Sequence, residues 1–271
     1  MNIEQAHELS GLFDIYDIDG YTRTRLGVCM GGGYVVPAEL LPLVRSCVTY
    51  GVGPDISFET HLDTMFPENN IAFDFYDHTV PGLPGRSPRN SRFYRRRVSG
   101  LAAGSDSVSP DETLFGKKNV LLKFDIEGAE YELTDSISDS FFDDILFVVF
   151  ELHWLHRDLD RAANLLRFLG RSFVTFHLHS CNNEQRCVDI GDKKVPDVCE
   201  FTMINRAFVH GMSKSTLAFP VYGLDFKNTP WKPDLVLNWT QPGHKVGQDG
   251  AAIVETVDED AKTRCDSNGN V

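Results

Sequence analysis

Residues 120–133 read VLLKFDIEGAEYEL, and this stretch decides the fold. It begins as an apolar run, becomes acidic at Asp125 and Glu127, turns at Gly128 and continues as a helix-compatible segment. Such a run is typical of a buried strand in a parallel sheet, followed by a turn and a helix. In open α/β sheets, ligands bind just beyond the carboxyl ends of such strands. We therefore predict that the two carboxylates face a binding site.

Other stretches repeat this strand-and-helix alternation. With the opening stretch as the fourth strand, the remaining predicted strands cover residues 46–52, 70–77, 91–98, 145–153, 172–179 and 199–208. One predicted helix begins at Asp55 or Ser57, and three others cover residues 109–116, 129–138 and 158–170. This alternation predicts an α/β fold with a doubly wound, mostly parallel, seven-stranded sheet and helices on both faces.

The chain divides into three segments by composition. Residues 1–30 are interpreted as an N-terminal extension, and residues 31–243 as one domain. Residues 244–271 are glycine-rich and polar, so we expect a disordered tail there.

Composition limits the possible partners and compartment. The 271 residues carry a net charge of −13, which repels phosphate backbones and makes nucleic acid an unfavourable partner. No apolar run approaches the ~20 residues that a membrane span needs. The N-terminus lacks a secretory signal, and the six cysteines lack a CxxC spacing. We expect free thiols and a cytoplasmic protein.

A glycine turn after the first strand predicts a cofactor site. Gly51 and Gly53 bracket the turn, and the next helix begins within a few residues. Such an arrangement sets a ligand's polar groups against a helix N-terminus. Asp77 ends the second strand, 26 residues beyond Gly51, near the offset at which a carboxylate binds ribose hydroxyls. The pattern predicts a nucleoside cofactor.

The next strand ends are also polar. The fifth predicted strand ends in Glu151 and His153, and the sixth in His177 and His179. Residues two apart in the sequence point to the same face of an extended strand, so the two members of each pair share one face. We expect the ends of the fourth, fifth and sixth strands to surround the reactive end of the cofactor.

Six segments of the chain together carry a family resemblance: residues 31–37 (GGGYVVP), 50–59 (YGVGPDISFE), 76–80 (YDHTV), 123–130 (KFDIEGAE), 150–153 (FELH) and 196–202 (PDVCEFT). In this order and spacing they resemble the FkbM-type S-adenosylmethionine-dependent methyltransferases. The resemblance covers roughly residues 25–240, and the order and spacing of its segments make it specific.

The resemblance implies a Rossmann-like methyltransferase that acts on a hydroxyl of a sugar, a glycan or another small acceptor. It implies that Gly51 and Gly53 form the loop that binds S-adenosylmethionine and that Asp77 binds its ribose. Many methyltransferases carry an acid two residues before the first glycine, where this chain has Thr49. Asp55 or Glu59 is then the group expected to hold the methionine amino group.

The chemistry needs the acceptor hydroxyl to lose one proton. We take His153 as the first candidate for the general base and His179 as the second, because imidazole titrates near neutral pH. Asp125 and Glu151 would orient the base or the acceptor. Alternatively, Asp125, Glu127 and Glu151 would bind a Mg²⁺ ion that holds the acceptor's oxygens.

Three other interpretations use the same residues. A nicotinamide-dependent dehydrogenase would share the fold, but Ile56 stands where its glycine pattern needs a third glycine. A metal-dependent hydrolase could use the acid and histidine pairs at the strand ends. A catalytically silent binding domain would keep the fold without the reaction.

Overall fold

The computed structural model describes residues 3–29, 31–100, 104–135, 137–237 and 239. The predicted tail at 244–271 lies outside this part of the chain. The α-helices are α1 (Ile3–Gly11), α2 (Ser57–Met65), α3 (Pro110–Leu114) and α4 (Leu155–Gly170). Short 3-10 helices cover Ala38–Leu43, Pro67–Asn69, Glu130–Asp135, Asp139–Asp144 and Arg206–Phe208.

The strands alternate with these helices along the chain. They are β1 (Tyr16–Ile18), β2 (Arg23–Leu26), β3 (Tyr34–Pro37), β4 (Ser46–Tyr50), β5 (Ala72–Tyr76), β6 (Ser91–Tyr94), β7 (Arg97–Val98), β8 (Ser107–Val108), β9 (Val120–Phe124), β10 (Ile145–Leu152), β11 (Phe173–Ser180), β12 (Cys187–Ile190), β13 (Lys193–Pro196), β14 (Cys199–Asn205) and β15 (Met212–Lys214).

The main sheet has seven strands in the order β11-β14-β10-β9-β4-β5-β6. The pairs among β10, β9, β4, β5 and β6 are all parallel, and β14 is antiparallel to both of its neighbours. The prediction of an α/β protein with a mostly parallel, seven-stranded sheet is confirmed. The architecture is compatible with a Rossmann-like fold.

The strand order reverses in the middle of the sheet. From β4 the chain proceeds outward through β5 to β6, then returns to β9 on the other side of β4 and continues to β10. β4 and β9 are therefore the neighbouring strands at which the order reverses. Ligands bind at such a reversal point in open α/β sheets.

Apolar side chains cover both faces of this sheet because successive strand residues point to opposite sides. Leu122 and Phe124 belong to a core that includes the buried face of α4. Leu121, the residue before Leu122, belongs to a second core that includes Phe58 and Leu62 of α2. Strand β9 is thus buried on both sides, as its continuous apolar run predicts.

The N-terminal segment takes part in the core. Phe13 is fully buried, and its ring lies 6.1 Å from that of Phe201 in β14. Strand β1 pairs with β15, and β2 pairs with β3. Residues 3–26, interpreted from the sequence as an extension, therefore pack with the domain.

Three local predictions are wrong. The strand predicted at 91–98 breaks after Tyr94, where the N–H of Arg96 donates to the carbonyl of Tyr94. The helix predicted at 129–138 is a 3-10 helix over Glu130–Asp135, because Glu130 and Tyr131 are both tied to His153 by hydrogen bonds. The sixth predicted strand, β11, is separated from β10 by the antiparallel β14.

Two further findings concern the chain as a whole. No helix in the described residues is long and apolar enough to cross a membrane. Cys47, Cys181, Cys187 and Cys199 are free thiols, but Cys29 is disulfide-bonded, which corrects the prediction for that residue.

Candidate functional site

A cavity of about 840 Å³ opens at the carboxyl ends of β4, β5 and β9. It lies at the reversal point of the sheet and brings together most of the predicted cofactor residues. Its lining includes Gly51, Gly53, Asp55, Asp77, Lys123, Asp125 and Glu127, with Gly32, Tyr34, Tyr76, Arg96 and Asn228 around them. Glu59, Glu151, His153 and His179 are not among the lining residues.

Gly51 allows two exit loops to touch. Its φ is +79°, and a Cβ added there would lie 1.7 Å from the carbonyl oxygen of Asp125. The N–H of Asp125 in turn donates to the carbonyl of Tyr50 over 2.9 Å. Only glycine fits this left-handed, crowded position, and the contact sets the carboxylate of Asp125 beside the glycine turn.

Asp77 supports the glycine turn from below. One carboxylate oxygen accepts from the N–H groups of Val52 (2.8 Å) and Gly53 (3.3 Å), and the other accepts from the N–H and hydroxyl of Thr79 (2.7 and 2.6 Å). Burial raises the pKa of Asp77, but these hydrogen bonds outweigh it and hold the pKa below its ordinary value. Asp77 is therefore an ionised group that fixes the shape of the turn.

Asp55 lies two residues before the first residue of α2, the helix that follows the turn. Its carboxylate accepts from the N–H and the hydroxyl of Ser57, at 2.9 and 2.8 Å. The carboxylate packs directly on the backbone of Gly32, where a Cβ would lie 1.6 Å from it. The glycine-rich turn at 31–33 therefore permits Asp55 to approach closely, and both form one wall of the cavity.

Beneath the cavity lies a buried ion pair. Nζ of Lys123 lies 3.6 Å from the carboxylate of Glu59, which also accepts from the hydroxyl of Thr49 over 2.8 Å. Burial lowers the pKa of Lys123, but Glu59 and Asp125 outweigh it and the pKa is raised overall. Glu59 is 1% exposed, so it supports a cation that lines the cavity and is not itself in reach of a ligand. This position favours Asp55 over Glu59, the two alternatives predicted for the methionine amino group.

Asp125 and Glu127 line one end of the cavity, called here its acidic end, and His153 lies next to both of them. Its Nε2 lies 3.7 Å from Asp125 and 3.6 Å from Glu127, and Glu151 is 3.8 Å away. Its Nδ1 is hydrogen-bonded to the fully buried carboxylate of Glu130. The predicted residues of the fourth and fifth strand ends are therefore brought together.

The charge around His153 determines its protonation. Burial lowers its pKa, but the hydrogen bond that Nδ1 donates to Glu130 and the fields of Glu151 and Asp125 outweigh burial and raise the pKa to about 9. At neutral pH the imidazole in this environment already holds its proton. This disfavours the predicted role of His153 as a free general base.

The turn that carries Glu127 is built from uncommon backbone conformations. Glu127 itself has a φ of +53°, and Gly128 has a φ of +91°. A Cβ on Gly128 would lie 2.5 Å from the ring of Trp154, which also has a positive φ, of 55°. Left-handed non-glycine residues cost free energy and concentrate at functional sites. Together they bend the chain so that Glu127 faces back toward His153.

A row of polar side chains continues from Glu151 across the sheet. Glu151 pairs in register with Glu200 of β14, which pairs with His179 of β11, so the three share one face. Nδ1 of His179 is 3.1 Å from Glu200, and its Nε2 is 3.6 Å from Asp234. His179 is 2% exposed and two strands from β10, so it lies outside the cavity and the prediction of a second base there is wrong.

His177 anchors the segment after β15. Its Nε2 is 2.8 Å from Asp225, and the carboxylate of Asp225 also accepts from the N–H of Val221. Farther along, Asn228 donates to Glu200 over 2.9 Å and lines the cavity. Residues 219–237 therefore close one side of the site through these buried hydrogen bonds.

Sequence reasoning missed Lys123, Glu130 and Asn228. Lys123 carried a usable signal, since a charged residue inside an otherwise apolar strand needs a partner. Glu130 belonged to a segment interpreted as helix, and Asn228 to one without periodicity, so neither could be assigned to the site from pattern alone.

Comparisons with known proteins add little. No protein-family model matches the chain, and no curated protein matches it. Among solved structures, the chain is similar to the crystal structure of protein 1320 from Thermoplasma acidophilum, with 13% sequence identity and a TM-score of 0.31. The match covers 60% of this chain and 77% of that chain, and a score this low supports no conclusion about function.

Proposed function

We propose that this protein is an S-adenosylmethionine-dependent O-methyltransferase on a doubly wound, Rossmann-like fold. The acceptor is a hydroxyl of a sugar, a glycan or another small hydroxylated molecule, as the resemblance to FkbM-type enzymes suggests. The observation that carries the proposal is the cavity at the reversal point of the sheet, where the glycine turn, Asp77 and Asp125 converge. Nucleoside cofactors bind at this place in such folds.

The nucleoside half of the cofactor fits the end of the cavity near Gly53 and Asp77. Asp77 is ionised and adjacent to the turn, so it can share its carboxylate with ribose hydroxyls while it holds the loop. Because these hydrogen bonds already order the loop in the free protein, less conformational entropy is lost when the cofactor binds, which favours affinity.

The methionine half fits the opposite end of the cavity. Lys123 supplies a cation for the methionine carboxylate, and its pair with buried Glu59 fixes it there. Asp55 is the remaining candidate for the amino group, since it lines the cavity and Glu59 does not. Charge-assisted hydrogen bonds from Lys123 to the methionine carboxylate and from the amino group to Asp55 would set the sulfonium methyl beside Asp125.

Transfer then needs alignment and the loss of one proton. The acceptor oxygen forms a bond to the methyl carbon as the carbon–sulfur bond breaks, and the electron pair stays on sulfur. Because the sulfonium is already a strong electrophile, holding the two centres in line provides most of the acceleration. We assign removal of the hydroxyl proton to the acidic end of the cavity, which Asp125 and Glu127 line, because His153 already holds its own proton.

A dehydrogenase is less well supported. Ile56 occupies the position of the third glycine and is buried in the core beside α2, at 5% exposure. Its side chain prevents the close helix approach that the dinucleotide pattern requires.

The proposal is tested by methyl transfer from radiolabelled S-adenosylmethionine to a panel of monosaccharides, oligosaccharides and sugar nucleotides. We expect label in one acceptor class with the wild-type protein and a large loss with Asp77→Ala. The matched control is Asp189→Ala, a surface position outside the cavity, which should retain transfer. Failure of the wild-type protein to bind S-adenosylmethionine at all would refute the proposal.

A further inference from the structure

Three side chains from two neighbouring strand exits converge at the acidic end of the cavity. Asp125 follows β9, Glu127 belongs to the left-handed turn after it, and His153 follows β10. One ligand atom from each lies within 4.8 Å of the other two. Within the described residues, this is the one cluster with that geometry.

The state of His153 is an independent observation. The residue is 5% exposed, and its Nδ1 is hydrogen-bonded to Glu130, which is completely buried. Its Nε2 points into the cluster, where the nearest carboxylate oxygens are 3.6 to 3.8 Å away, beyond hydrogen-bonding distance. Metal-binding histidines are held in this manner, with the second ring nitrogen donating to a carboxylate, and an ion would take the place of the proton on Nε2.

The negative charge around the cluster also favours a bound cation. Four carboxylates, from Asp125, Glu127, Glu130 and Glu151, lie around a single imidazole. Uncompensated carboxylates in a partly buried site are costly. A divalent ion among the ligand atoms would offset this excess negative charge.

We propose that Asp125, Glu127 and His153 bind a divalent first-row ion, Mn²⁺ or Zn²⁺, with Glu130 orienting the histidine. Mg²⁺ binds through oxygen ligands, whereas an imidazole in the set favours a transition ion. This replaces the set expected from the sequence, in which Glu151 was a ligand and Mg²⁺ the ion. Glu151 lies 3.8 Å from Nε2 of His153 but does not belong to the cluster whose ligand atoms all lie within 4.8 Å of one another.

The role of the ion rests on the proposed function, although its binding does not. At the acceptor end of the cavity, the ion would hold the hydroxyl oxygen and favour the loss of its proton to solvent. The oxygen then attacks the methyl carbon, and the carbon–sulfur bond breaks with its electrons on sulfur. An acceptor with two neighbouring oxygens, such as a diol of a sugar, would suit an ion with open positions.

The full-length protein, freed of metal with a chelator, would be titrated with MnCl₂, ZnCl₂ and MgCl₂ by calorimetry. We expect one site, with Mn²⁺ or Zn²⁺ bound at least about tenfold more tightly than Mg²⁺. Asp125→Asn should weaken the tighter ion at least about tenfold. Asp189→Asn, the same substitution on the exposed β12–β13 hairpin, should bind as the wild type does.

A spectroscopic measurement identifies the histidine. In the Mn²⁺ complex, electron spin-echo modulation from an imidazole nitrogen should be present and should disappear in His153→Ala. If Asp125→Asn does not fold, Glu127→Gln serves in its place, because that side chain is 76% exposed and its loss cannot disrupt the core.

Two results would overturn the inference: no ion bound by the wild-type protein, or ion affinity unchanged in both Asp125→Asn and Glu127→Gln. Calorimetry with S-adenosylhomocysteine, run separately, distinguishes this failure from that of the proposed function. Cofactor binding without ion binding removes the metal site alone, and ion binding without cofactor binding removes the methyltransferase alone.

Discussion

Glu130 and His153, 23 residues apart in the chain, are joined by a hydrogen bond between the buried Glu130 carboxylate and Nδ1. This contact links the turn after β9 to the end of β10 and aims Nε2 at Asp125 and Glu127. The geometry of the acidic end therefore depends on a residue that does not line the cavity.

Glu130→Gln tests this dependence. Loss of the carboxylate should weaken Mn²⁺ binding about tenfold while leaving the affinity for S-adenosylhomocysteine unchanged, because Glu130 acts only through His153. Calorimetry measures both. Glu8→Gln, which removes a carboxylate paired with Arg167 on the surface and away from the cavity, is the matched control and should change neither affinity. Equal losses for the ion and the cofactor would indicate a general structural effect instead.

Gly51→Ala tests the contact between the exit loops. The added Cβ would collide with the carbonyl of Asp125 and strain a left-handed residue, so we expect a loss of about 3 kcal/mol in the free energy of unfolding. Urea denaturation measures it. Gly53→Ala is the control, since Gly53 has a similar φ of +60° but open space around its Cβ. It should cost only about 1 kcal/mol; a similar cost at both positions would argue against the contact.

Lys123 tests the orientation of the cofactor. Lys123→Met alone would leave Glu59 buried without its cation, so the informative variant is Glu59→Gln/Lys123→Met, compared with Glu59→Gln. We expect it to lose about 10- to 100-fold in affinity for S-adenosylhomocysteine and to bind methylthioadenosine, which lacks the amino acid end, normally. Calorimetry with both ligands measures this. Equal losses for the two would contradict our assignment of Lys123 to the methionine carboxylate.

Asp225 gives a prediction for how the stability of the protein depends on pH. Burial raises its pKa, but His177 and His179 outweigh it and lower the pKa to about 2, below the ordinary 3.8. A depressed pKa contributes stability that is present above the ordinary pKa and is lost as pH falls toward 2. We expect wild-type stability to fall by about 2 kcal/mol between pH 4 and 2 from this group. Asp225→Asn should lack that part of the slope in urea denaturation, whereas Asp189→Asn should keep it.

The sequence was sufficient for the features that depend on local pattern. The apolar run at 120–124 predicts a strand buried on both faces, and β9 is one. Gly51 and Asp77 were found from their positions at strand ends, and the two do meet at one turn. The carboxyl ends of parallel strands lie at the same edge of a sheet. Residues that follow such strands can therefore be predicted to lie near one another before the packing of the protein is known.

The features that depend on strand order and on buried partners were not readable. Nothing local to residues 172–208 reveals that β14 inserts between β10 and β11, and this insertion removes His179 from the cavity. Glu59 has the position of a helix-start ligand, yet it turns inward because Lys123 needs a buried partner. Only the tertiary structure brings such pairs together.

The central claim is that the cavity between the β4 and β9 exit loops binds S-adenosylmethionine. The most direct measurement is calorimetric titration of the full-length protein with S-adenosylhomocysteine and, separately, with NAD⁺. Our account predicts binding of S-adenosylhomocysteine at one site, weakened by about 1–3 kcal/mol in Asp77→Ala, and no binding of NAD⁺. Binding of NAD⁺ in place of S-adenosylhomocysteine, or cofactor affinity unaffected by Asp77→Ala, would contradict it.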